Sequence, residues 1–136
     1  MPTESTAHEL CRRYLDALNR SDLEGVLALF TADAQVRSPL YGERDARSFY
    51  TDLFADSARS ETRLLHVFES NEGEPAVALH FAYAWTLQSG VVVRFECADI
   101  FPLSADGTRF AGLTILYDTA PVRGAFVLSR SQTGRA

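Results

Sequence analysis

AVALHFAYAWTLQSGVVVRFECADIFPL, residues 76–103, carries the information that decides the fold. Two long runs rich in β-branched and aromatic residues flank Gln88-Ser89-Gly90, which reads as one long antiparallel hairpin. Along the second run Phe95, Cys97, Asp99 and Phe101 alternate onto one face. Asp99 is out of place in that row. A carboxylic acid turned toward an apolar interior has to be neutral, paired or functional.

Working outward, the same strand chemistry continues on both sides. TRLLHVFES precedes the hairpin and ends in an NEGEP turn, and TRFAGLTILYD follows an SADG turn. The N-terminal half reads as helical. Leu10, Cys11, Tyr14, Leu15 and Leu18 recur at helical intervals, with Arg12, Arg13 and Asp16 on the other side. SDLE at 21–24 has the form of a capping box on Ser21, opening a second helix with Leu23, Val26, Leu27 and Phe30 inward. A short strand, AQVRS, stops at Pro39. ERDARSFYTDLFADS then gives a third helix with Ala46, Phe49, Tyr50, Leu53 and Phe54 on one side. Helices followed by a meander of antiparallel strands predict an α+β protein, the helices packed on one face of a curved sheet.

With 136 residues the chain suits a single domain, 1–136, with a Ser-, Gly- and Arg-rich tail from about residue 124 expected to be loosely ordered. The formal net charge is −5, and all basic residues are scattered arginines, which argues against nucleic-acid and membrane-surface partners. The opening MPTESTAHELCRRY shows no apolar signal core, and no stretch has the length of a membrane span. Cys11 and Cys97 lack redox or metal spacing, and His8, His66 and His80 fall in no ligand motif. The reading is therefore a cytoplasmic protein with no metal and no cofactor.

Strand parity sends Phe95, Cys97 and Asp99 into the interior of the curved sheet, joined from the last strand by Thr114, Leu116 and Asp118. That pattern assumes no β-bulge. Arg94 and Glu96 face outward by the same parity.

RRYLDALNRSDLEGVLALFTADAQVRSPLYG, ARSFYTDLF, ADIFPLSADGTRF and LYDTAPVR, in this order between Leu10 and Pro121, resemble the NTF2-like superfamily, in particular its SnoaL-like proteins and ketosteroid isomerases. The resemblance implies a cone-shaped α+β barrel whose curved antiparallel sheet wraps around N-terminal helices. It also implies a pocket for a small hydrophobic molecule, and a homodimer. Carried over by position, Tyr14 matches the tyrosine of the isomerase oxyanion hole and Asp99 its protonated acid. Tyr50 matches a tyrosine that supports the first, and Phe30 stands where the family has another. The base position is Ser38, whose hydroxyl cannot replace a carboxylate as proton shuttle. The resemblance thus implies catalysis by Tyr14 and Asp99, with Ser38 and Tyr50 at the site. Strand parity adds Asp118 as a candidate catalytic acid, although the isomerases have a bulky aromatic there, and Phe95, Cys97, Thr114 and Leu116 as pocket lining.

Three readings follow from these residues. An enzyme of isomerase, cyclase or hydrolase type would act on a hydrophobic oxygenated substrate through Tyr14 and Asp99. A non-catalytic protein would bind the same kind of ligand, the missing base being its support. Epoxide hydrolase-like chemistry would use Asp99 with Asp118, though an outward Arg94 leaves its full triad incomplete.

Overall fold

In a computed structural model, residues 5–135 of the chain are described. They form α1 (Thr6–Asn19), α2 (Leu23–Leu27), β1 (Phe30–Ser38), β2 (Gly42–Asp45), α3 (Ala46–Asp56), β3 (Ser57–Glu69), β4 (Ala76–Leu87), β5 (Val92–Pro102), β6 (Phe110–Leu116) and α4 (Ala120–Gln132). The six strands make one curved, unclosed sheet in the order β2-β1-β6-β5-β4-β3.

The hairpin at 76–103 forms as its alternation demands. Eleven successive β4–β5 pairs, from Ala76↔Pro102 to Thr86↔Val92, run without a break. Val77, Leu79, Phe81, Tyr83, Trp85 and Leu87 are all buried on one side, and Asp99 and Cys97 share that side. Gly90 takes the left-handed conformation that closes the turn, at φ 93°.

Helix α1 begins at Ser5, whose side chain accepts from the His8 amide at 3.0 Å. Its end explains why Ser21 does not cap the next helix. Ser21 lies at φ 51°, its amide donates to Leu18, and the Asp22 amide donates to Ala17. Those are the two bonds of a Schellman closure, so Ser21 belongs to the end of α1. Asp22 caps α2 instead, accepting from Gly25 at 3.0 Å. The second helix is one short piece, and Phe30 starts β1 rather than extending it.

Two further features depart from the sequence reading. β1 pairs with β6 in parallel, so the sheet is not a pure antiparallel meander. The expected loose tail is the helix α4. Pro121 sits in its first turn, and Val122, Phe126 and Ser129 are buried at helical spacing. Phe126 stacks on Trp85 at 5.9 Å and meets Tyr41 edge-on at 5.3 Å. A composition of Ser, Gly and Arg concealed that apolar stripe.

Candidate functional site

The helices and the concave face of the sheet enclose a hollow. α1 supplies Tyr14 and Leu18, α3 supplies Phe49 and Leu53, and β4 supplies Phe81, Tyr83 and Trp85. β5 contributes Phe95, Cys97 and Asp99, and Ile115 and Tyr117 come from β6 and the segment after it. Ser38 and Tyr41 close the remaining side. The cavity is about 40 Å³, room for very few waters. Small-molecule pockets more often measure about 300–1,000 Å³. Tyr41, Phe95 and Tyr117 are half-buried members of the lining.

Asp99 is 1% exposed. Burial among apolar side chains pushes its pKa up to about 8, with hydrogen bonding by Tyr14 pulling the other way. Its Oδ1 has no hydrogen-bond partner among the described residues. The Tyr14 and Tyr50 hydroxyls lie 2.8 Å apart, both fully buried, and burial raises both phenol pKa values well above the ordinary range. Phe101, at 5.1 Å and 74°, and Phe110 hold the Tyr14 ring edge-on. Phe30 packs against Tyr14 and Tyr50 as a ring without a hydroxyl. The two thiols are subdued by burial and then by Asp99: Cys11 is pushed up to about 12, and Cys97 is raised further.

Strand β6 corrects three of the expected positions. Between the Leu103–Phe110 bridge and the Ile100–Thr114 pair, β5 advances three residues and β6 advances four. That extra residue is a bulge, and it reverses the parity beyond it. Asp99 is opposite Ile115, so Ile115 and Tyr117 enter the hollow while Thr114 and Leu116 lie on the outer side, Leu116 52% exposed. Asp118 is exposed, and its Oδ1 accepts from the Ala120 amide at 3.0 Å. The two-carboxylate arrangement that epoxide chemistry would need is not assembled. Ser38 does border the hollow, but its Oγ accepts from the amides of Leu40 and Tyr41 and so fixes a turn. Tyr50 sits behind Tyr14 and outside the lining.

Sequence reasoning missed Tyr41, Tyr83 and Tyr117. Tyr83 shares a 2.8 Å hydroxyl contact with Ser60. Tyr41 donates to Asp56 Oδ2 at 2.6 Å, and Arg135 Nε donates to Asp56 Oδ1 at 2.5 Å. This buried carboxylate therefore ties one pocket wall to the segment after α4. The available signal was the β4 alternation, which places Tyr83 beside Phe81 and Trp85.

An open curved sheet with helices laid in its concavity, and a hollow where they meet, defines the NTF2-like class of α+β proteins. The chain belongs to the SnoaL-like domain family, whose model matches residues 11–111. Members of this family generally bind small molecules. The chain is similar to PrhC from Penicillium brasilianum, with 15% identity and TM-score 0.75 over 97% of this chain and 94% of that one. It is also similar to AusH from Aspergillus nidulans, with 16% identity and TM-score 0.70 over 88% of each chain. A protein from Catenulispora acidiphila with a ketosteroid isomerase-like fold, in complex with trimethylamine, gives TM-score 0.72 at 12% identity over 84% and 88%. No helix among the described residues is long and apolar enough to cross a membrane.

Proposed function

We propose that this hollow binds a small hydrophobic oxygenated molecule and that Asp99, in its neutral form, donates a hydrogen bond to one ligand oxygen with Tyr14 beside it. The observation carrying this reading is the unpartnered Oδ1 of a fully buried Asp99 in an apolar lining. An acid so placed is costly to keep unless something uses it. A neutral Asp99 as donor, joined by Tyr14 once its hydroxyl turns from Asp99 to the ligand, would favour negative charge developing on a carbonyl, enol or epoxide oxygen, which is the chemistry of an isomerase, cyclase or hydrolase. With Ser38 engaged in its turn and Asp118 outside, no carboxylate base stands in the lining besides Asp99. Proton transfer would then fall to a bound water or to the substrate itself. Homodimerisation belongs to the same proposal and is read by sedimentation equilibrium.

The 40 Å³ cavity favours a second reading, in which the interior closes on itself and holds no ligand. A thermal-shift screen against steroids, terpenoid epoxides and polyketide-like phenols separates the two. The proposal expects at least one class to raise Tm and Tyr14→Phe to weaken that rise. Among hits that turn over, Asp99→Asn should retain binding and lower kcat about 10²–10³-fold. No stabilising ligand, or turnover indifferent to Asp99, would overturn it.

A further inference from the structure

On the outer face of the sheet, two histidines meet that lie fourteen residues apart in the chain. His66 on β3 stands directly opposite His80 on β4. A bulge makes the meeting possible. Leu64 pairs with core-facing Phe81, and the next pair is His66 with His80, which leaves Leu65 as an extra residue. Without it His66 would share the inward side of Leu64, two residues earlier. The two Nδ1 atoms are 3.1 Å apart and the ring planes differ by 5°. Phe68 stacks on His66 at 5.5 Å.

Glu96 reaches the pair from β5, its Oε1 2.8 Å from His80 Nε2. A carboxylate there holds the proton on Nε2 and leaves the Nδ1 lone pair bare, aimed at His66. Either His66 offers its own N–H to that lone pair, or a cation takes the proton's place.

We propose that His66 and His80 form a cross-strand site for a divalent cation that favours imidazole, of the Zn²⁺, Ni²⁺ or Cu²⁺ kind, with Glu96 orienting His80. Metal–nitrogen bonds of about 2.0–2.1 Å span two nitrogens at this separation with an N–metal–N angle of roughly 100°. That angle suits adjacent positions in a tetrahedral or octahedral shell. No group of three His, Cys, Asp or Glu among the described residues could hold an ion, so two imidazoles are the protein's share and water completes the shell. His66 is exposed and the His80 side chain is 33% exposed, so both rings can turn toward an ion without unfolding. The spacing along the chain contains no ligand motif. Strand register creates the pair.

Titration of the tag-free chain with zinc chloride and nickel chloride by isothermal calorimetry tests this site. His66→Ala and His80→Ala each delete one surface ring, and an unchanged thermal melt establishes that the fold is kept. The expected result is one ion per wild-type chain, with affinity at least tenfold weaker in either histidine variant and about 10–100-fold weaker in Glu96→Gln. Copper added to the wild type should give an electron paramagnetic resonance spectrum with two nitrogen ligands, reduced to one in each histidine variant. Absence of binding by the wild type, or full affinity in His66→Ala, overturns the proposal.

Discussion

Asp99 is the residue whose environment and chemistry are furthest apart. Its pKa is raised from 3.8 to about 8 by burial, so between those values the folded state holds a proton that the unfolded state has released. Stability linked to that proton is full below the unfolded value and is lost as pH rises through the folded one. The slope approaches about 1.4 kcal/mol for each pH unit across that window. Urea unfolding at pH 5 and pH 9 should therefore show wild type losing several kcal/mol more than Asp99→Asn, which has no proton to release. Equal losses would place the carboxylate in contact with water. Tyr50→Phe tests the neighbouring pair. It removes one hydroxyl of a buried 2.8 Å contact and should cost about 1–3 kcal/mol in the same assay. Asp99 was legible from the sequence because it breaks an apolar alternation. Tyr41 was not, because its phenol enters the hollow from a turn, and turns carry no period to read.

At the scale of elements, alternation predicted β4 and β5 faithfully because their pairing is unbroken. It failed on β6 because one bulged residue near the β5–β6 turn exchanges the two faces, and no single sequence marks where a strand will bulge. Paired substitutions measure the corrected parity. Leu113→Ala removes a side chain that is 2% exposed and should cost about 2–5 kcal/mol, while Leu116→Ser on the outer face should stay within about 0.5 kcal/mol. The reverse ranking would restore the original reading. Ser21 gives a parallel case: the serine of an apparent capping box ends one helix, and the neighbouring aspartate starts the next.

Across the whole molecule, the concave sheet face, α1, α3 and α4 share one apolar cluster. Phe126 joins that cluster from α4, touching both Trp85 and Tyr41 of the pocket wall. Phe126→Ala should cost about 3–5 kcal/mol and lower Tm, where a loose tail would show no change. The architecture was readable because helices precede strands and the strands are long. The C-terminal helix was not, since its few apolar residues are diluted by Ser, Gly and Arg, and only the tertiary contacts reveal their stripe. The account of function rests on Asp99 carrying a proton inside the hollow. A carbon-13 NMR titration of the aspartate carboxyls, with Asp99→Asn supplying the assignment, reads that proton directly. The account predicts a neutral carboxyl at pH 6 that titrates near 8. A carboxyl already ionised at pH 5 would contradict it.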